Sequence, residues 1–277
     1  MVPSLLAAGP DWSALLGGLS LTGSPGLDVA IVLLVGALAG VINSMAGGGS
    51  FLLIPTLVAL GLPATTANGT IRVAVLAQSG AAVATFHKRE VHDYPLTKRL
   101  VLPMIVGALL GSLLATRLDD AVFRPVIGVC LLIWAVILLV QPDRFLNPPE
   151  QTREPDARTA ALAAAVGLYG GFLQAGVGFP LIALLSVHLG CDLVKSNAIK
   201  VALVLGYTLI ALPVFAFAGQ IAWVPAGVLV IGSMVGAWLG ARWQVAKGSS
   251  VVRWFVLIMV ALGGALMLAP LVRSLFG

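Results

Sequence analysis

Two cations lie where an apolar span should carry no charge. Arg72 falls inside the apolar stretch 64–87 and Lys200 inside 193–218. A charge at the centre of a spanning helix costs about 2.5–3.5 kcal/mol or more, so by default it marks a functional site. Each cation follows an asparagine, Arg72 four residues after Asn68 and Lys200 three after Asn197, so one helical face holds amide and cation together. That face offers hydrogen-bond donors and positive charge, which is the chemistry of anion binding. The competing account is snorkelling to the headgroups, since each cation lies about two turns inside its segment. Against it, both are flanked by apolar residues and the arrangement occurs twice.

Two glycine-rich breaks supply the second part of such a site. NSMAGGGSFLLIP (43–55) puts Gly47, Gly48 and Gly49 into a long apolar run, at a helix cost of roughly 1 kcal/mol each. Ser50 stands where it would cap a following helical piece, 51–60. QAGVGFPLIALL (174–185) repeats the break with Gly176 and Gly178, and Pro180 suits a first helical turn. Non-helical backbone at membrane depth is tolerated only where it is buried in protein or lines a cavity. A helix starting at Ser50 or Phe179 would aim N–H groups and a positive dipole end at the break, which favours an anion. Close packing alone would account for one glycine cluster; recurrence in both halves points to a transport site. Asn43 and Gln174 adjoin the breaks and, with Asn68 and Asn197, would complete the anion's hydrogen bonds. Ser44, Thr70, Gln78, Ser79, Ser196, Tyr207 and Thr208 are further polar groups within spans that could equally bond across helices. His188, near the end of the second broken segment, is a weaker candidate for proton relay.

The elements that must hold these residues are membrane helices. Hydrophobic residues make up 59% and charged residues 10%, and the mean hydropathy is +1.05, a composition that no water-exposed surface of this size could carry. The two cysteines form no disulfide framework or metal set. The net charge of +5 is scattered among loops, which fits the positive-inside rule and not a nucleic-acid surface. Spans are expected at 64–87, 96–115, 122–140, 193–218, 223–241 and 251–272, with broken segments at 27–62 and 160–189. The fold class is an all-α membrane protein of two inverted-topology repeats, each with three spanning helices plus a broken or re-entrant helical hairpin. Residues 1–26 form an N-terminal interfacial segment, 27–140 the first transmembrane repeat, 141–158 a polar cytoplasmic linker and 159–277 the second repeat.

The duplication is visible at an offset of 129 residues, which pairs Gly47 with Gly176, Gly49 with Gly178, Gly61 with Gly190 and Asn68 with Asn197. VGALLG (106–111) falls on VGAWLG (235–240), and one residue of slippage puts Arg72 opposite Lys200. Basic residues in and around 88–99 and 242–253 make both regions cytoplasmic, while the turn 219–222 carries no charge and suits the outside. Corresponding loops then lie on opposite faces, which makes the repeats inverted and both termini external.

All 11 acidic residues fall in loops, termini or interfacial positions, so no carboxylate proton relay or sodium site is expected within the spans. No nucleotide, zinc or triad signature is present; the chain is expected to be no enzyme and to need no cofactor or metal. The run NSMAGGGSFLLIPTLVALGLPATTANGT, its second copy QAGVGFPLIALLSVHLGCDLVKSNAIK and the VGALLG and VGAWLG segments resemble the sulfite exporter TauE/SafE family of bacterial membrane proteins over 27–272. The second break departs from the pattern, with Val177 at a glycine position. The resemblance implies a multi-pass inner-membrane transporter exporting sulfite, an organosulfonate or a related carboxylate. With the cationic breaks, it yields alternating access at a central site as the expected mechanism. An anion channel with the same positive pathway and a membrane scaffold without transport are the alternatives. The expected partners are a small anionic substrate and the lipid bilayer, with no nucleic acid, and homo-oligomer formation stays open.

Overall fold

The structure, a computed structural model, describes residue 16 and residues 18–45, 48–140 and 153–244. Gly47, linker residues 141–152, Lys247, Arg253, the span expected at 251–272 and most of the N-terminal segment lie outside the described residues. Among the described residues there are nine helices and no strand. They are α1 (Pro25–Met45), α2 (Ser50–Ala59), α3 (Ala64–Lys88), α4 (Tyr94–Ala115), α5 (Asp120–Val140), α6 (Ala157–Phe172), α7 (Gly178–Ile182), α8 (Leu193–Phe217) and α9 (Trp223–Gln244). α7 runs on as a π-helical turn, Ala183–His188. α1, α3, α4, α8 and most of α9 are long and apolar enough to cross a membrane.

Local chemistry sets the helix starts. Asp93 accepts from Leu96 N at 3.0 Å and opens α4, Asp156 and Thr159 form a capping box on α6, and Asp192 accepts from Val194 N and Lys195 N to open α8. α2 starts differently from the expectation. Gly49 takes the N-cap position with no side-chain bond, and Ser50 is the first helical residue. Phe51 N and Leu52 N donate to the carbonyls of Gly48 and Gly49 at 3.1 and 3.0 Å, so the glycine backbone itself meets two of the helix's first donors, Leu52 N among those a serine cap would serve. In the second half the helix likewise opens one residue early, at Gly178, and Phe179 N donates to Gly176 O at 3.0 Å. The broken run 27–62 proves unequal: α1 has 21 residues and α2 has 10, about 30 and 15 Å.

Small residues govern the packing. α1 lies along α9, and α4 lies along α6. A Cβ added at Gly40 or Gly236 would come within 2.2 Å of Ser233 O or 1.9 Å of Ala37 O across the first interface. At Gly107 and Gly171 it would come within 1.9 Å of Ala164 O and 2.1 Å of Ala108 O across the second. These backbones touch because no side chain stands between them. α3 and α8 pack against each other through the middle, α3 also on α9 and α8 on α4. The outward faces are apolar; Leu102 and Leu110 of α4 are 66% and 57% exposed, as suits contact with lipid. The inward faces of α3 and α8 bury Asn68, Arg72, Gln78, Ser79, Asn197, Lys200 and Thr208.

Candidate functional site

The two breaks meet in the middle of the molecule. Phe51, just past the first break, stacks on Phe179 of the second with ring centroids 5.8 Å apart and an interplanar angle of 21°. Gly176 makes the approach feasible. Its φ is +74°, and a Cβ there would sit 2.1 Å from Phe51 Cζ. A side chain at 176 would therefore be strained in backbone and blocked in space.

Each break is held by the asparagine and cation of the opposite half. Asn68 Nδ2 donates to Phe172 O at 2.9 Å. Arg72 Nη1 donates to Gly170 O at 3.1 Å and Gln174 Oε1 at 3.0 Å, and Nη2 donates to Gly171 O at 2.6 Å. Its guanidinium also lies 4.2 Å from the centroid of the Phe215 ring. In the other direction, Asn197 Nδ2 donates to Met45 O at 3.0 Å. Lys200 Nζ donates to Asn43 O at 2.9 Å and to Asn197 Oδ1. The last carbonyls of a helix lack intrahelical donors and carry its negative dipole end. The C-terminal ends of α6 and α1 thus receive additional donors from α3 and α8.

A small cavity of about 30 Å³ lies beside the Lys200 cap. Asn43, Ser50, Gln174, Gly178 and Lys200 line it, together with Ser44, Gln78, Ser79 and the apolar Val75, Val177, Val201 and Val204. Gln78 and Ser79 were grouped above only with the remaining polar residues. With Val75 and Ala82 they recur at i, i+3, i+4 and i+7, a single α3 face that the spacing alone reveals. Asn68, Arg72 and Asn197 hold the walls from behind and do not line the cavity. Gly49 packs against α1, where a Cβ would fall 2.0 Å from Ala39 O, and Gly48 lends its carbonyl to Phe51 N. His188 sits away from the cavity, its Nε2 3.2 Å from Thr159 Oγ1.

The electrostatics are one-sided. Lys200 is 1% exposed and its partners are neutral oxygens. No carboxylate is among the described residues that line the cavity. The ion pairs among the described residues, Arg99–Glu154 and Lys195–Asp93, both at 2.8 Å, lie elsewhere. No described group of His, Cys, Asp or Glu could hold a metal ion. Gln174 Nε2 and Gln78 Oε1 are buried without a hydrogen-bond partner among the described residues. An ammonium with neutral partners, beside a cavity bordered by an unused amide donor, is an arrangement that can receive a negatively charged oxygen.

A profile of the family described as "Sulfite exporter TauE/SafE" matches residues 32–267. Among similar proteins, the "Probable membrane transporter protein ORF9" of a Sinorhizobium species is 27% identical over 244 residues, 87% of this chain and 93% of that protein. A "Probable membrane transporter protein" of Haemophilus influenzae is 28% identical over 235 residues, 84% and 92% of the two chains. The "Probable membrane transporter protein YfcA" of Escherichia coli K12 is 28% identical over 245 residues, 87% and 90% of the two.

Proposed function

Because this chain belongs to the TauE/SafE family of membrane transporters, we propose that it exports a small anion by alternating access about the Lys200 cavity. The anion is sulfite, an organosulfonate or a related small carboxylate. One observation carries the reading: a buried lysine on a cavity between two helix breaks, with no carboxylate among the described residues that line it. An unpaired buried charge is costly, and a bound anion supplies the missing counter-charge. Lys200 and Gln174 Nε2 donate to the anion, Asn43 and Ser50 border it, and Asn68, Arg72 and Asn197 brace the breaks.

The packing supports two equivalent halves, which the loop charges make inverted in this reading. Exchanging the halves turns the α1–α9 contact into α6–α4 and α3–α9 into α8–α4, and both members of each exchange are present. Phe51 and Phe179, mates at one residue of slippage, stack on each other where a pseudo-twofold axis would pass. The cavity's small volume favours a carrier over an open channel. About 30 Å³ holds a water or two, so a sulfite-sized anion requires the walls to part. In this reading the protein spans the bacterial inner membrane, with the 141–158 linker cytoplasmic and both termini external.

Counterflow in proteoliposomes tests the proposal. Preloaded sulfite or methanesulfonate should accelerate uptake of the labelled anion with saturation, and Lys200→Ala should abolish the exchange. Flux that never saturates and shows no counterflow would mean a channel, and Lys200→Ala exchange at the parental rate would remove Lys200 from the site.

A further inference from the structure

We propose that Gln174 sets the polarity of the anion site, and that Arg72 and Tyr207 act on the anion only by fixing the orientation of the Gln174 amide; this rests on the anion-transport reading above. A glutamine amide has two ends of nearly equal shape and opposite hydrogen-bonding sense. Turned one way it offers N–H to a ligand, and turned the other way it offers a carbonyl. At Gln174 the choice is made by the neighbours. Arg72 Nη1 lies 3.0 Å from Oε1, and a guanidinium can only donate. Tyr207 OH donates to the same oxygen at 3.1 Å. Two donors pin Oε1, so Nε2 is the end left over, buried and without an acceptor among the described residues. Gln174 also lines the cavity, which neither Arg72 nor Tyr207 does.

The backbone shows the same constraint. Gln174 has φ +62°, in the left-handed region that favours glycine. A non-glycine residue stays there only where its surroundings over-determine it, and such positions gather at functional sites. Here Gln174 N donates to Gly170 O at 3.0 Å, and Tyr169 OH donates to the next carbonyl, Ala175 O, at 2.7 Å. Gly170 leaves room for the Tyr207 ring, since a Cβ there would lie 3.0 Å from its hydroxyl oxygen. Lys200 therefore supplies charge and Gln174 supplies direction. A ligand oxygen that only accepts fits Nε2, whereas a ligand N–H at that point faces another donor and is refused.

Arg72 and Tyr207 are positioning residues on this account, and the test separates positioning from simple support of the fold. Binding of methanesulfonate and of its neutral analogue methanesulfonamide is measured by titration calorimetry on the purified full chain. The parent is expected to bind the sulfonate and to discriminate against the sulfonamide. Tyr207→Phe keeps the ring, loses one pin, weakens sulfonate binding roughly three- to tenfold and narrows the ratio between the two ligands. In a Gln174→Ala background the same Tyr207→Phe change should have no further effect on sulfonate binding. Gln174→Glu presents only acceptors, pairs with Arg72, keeps the melting temperature and loses the sulfonate. An equal Tyr207→Phe effect with and without Gln174, or parental sulfonate affinity in Gln174→Glu, overturns the proposal. Should Tyr207→Phe fail to fold, the Gln174→Glu result decides. A parent that binds neither methanesulfonate nor sulfite removes the anion-transport reading and this proposal together, an outcome distinct from binding that ignores Gln174.

Discussion

Arg72 on α3 and Lys200 on α8 each cap a broken helix of the other half, yet only Lys200 reaches the cavity. One residue of spacing separates their fates. Arg72 follows Asn68 by four positions and Lys200 follows Asn197 by three; at about 100° per residue the cations leave on opposite sides of their asparagines. Lys200 consequently folds onto Asn197 Oδ1, while Asn68 Oδ1 has no partner among the described residues and Arg72 reaches on to Gln174. The head groups widen the division. Arg72 spreads a permanent charge over three carbonyls, an amide oxygen and an aromatic face. Lys200 has three N–H groups and two acceptors among the described residues. Arg72, whose two terminal amino groups are all spent on protein oxygens although Nε has no acceptor among the described residues, fastens the fold; Lys200, short of a partner beside a cavity, is available to a ligand. In a duplicated membrane protein, helix register decides between these roles as much as the presence of charge does.

The sharpest way to break this contrast is to remove each cation in turn. Lys200→Met should weaken methanesulfonate binding more than about thirtyfold, the loss expected when one member of a buried charge contact is truncated, and should change the melting temperature little. Arg72→Met should do the reverse in proportion. It strands several buried acceptors and should cost about 3 kcal/mol or more of stability in thermal unfolding. If Lys200→Met proves the more destabilising variant, the division between fastener and ligand site is wrong.

Gly176→Ala should cost about 2 kcal/mol or more, from the left-handed backbone and the collision with Phe51, and Phe51→Leu in the same chain should recover part of it. Gly80→Ala is the control, since its added methyl meets nothing within 4 Å. Of the asparagines, Asn197 bonds Met45 O, Leu193 O and Lys200, whereas Asn68 bonds Phe172 O. Asn197→Ala should therefore lose about 2 kcal/mol and Asn68→Ala about 1 kcal/mol by chemical or thermal unfolding.

The smallest effect concerns Lys195, a cation on the same helix as Lys200 that does have a carboxylate partner, Asp93, at 2.8 Å. Burial pushes the Asp93 carboxyl up, but hydrogen bonds from Lys195 and from Leu96 N–H outweigh it and hold the group below the ordinary aspartate value. A carboxylate lowered on folding stabilises the protein above its unfolded value, about 3.9, and that stabilisation is lost as pH falls through the folded value. Melting curves of the parent and Asp93→Asn should differ at pH 6 and converge toward pH 3. A constant difference across that range would mean that the Lys195 contact does not depend on the charge of Asp93.

Much of this was legible in the sequence because lipid imposes simple rules. The helices at 64–88, 94–115, 193–217 and 223–244 follow apolar runs bounded by proline, aspartate or glycine, and the described bounds fall within a few residues of the expected ones. The breaks were readable because glycine is a poor helix former, and the cations because charge is rare at that depth. What escaped was set by neighbours distant in the chain. Nothing local told that Gly48 and Gly49 carbonyls would make a Ser50 cap unnecessary, or that Gln174 would stand between Arg72 and the cavity. The offset of 129 pairs Gln78 with Tyr207 and Ser79 with Thr208. An amide opposite a bulky phenol already says that the two half-sites cannot be equally open.

The glycine contacts of α1 with α9 and of α4 with α6 have a mechanical consequence. Backbones in direct contact shear poorly, because each turn of one helix sits in a notch of the other. The stiff bodies of the molecule are therefore two helix pairs, each made of one helix from either side of the polar linker. Dividing the chain at 141–158 would cut across both. Any rocking motion has to carry α1 with α9 and α6 with α4, so that relative displacement falls on the α3–α8 contact and on the short helices α2 and α7 that flank it.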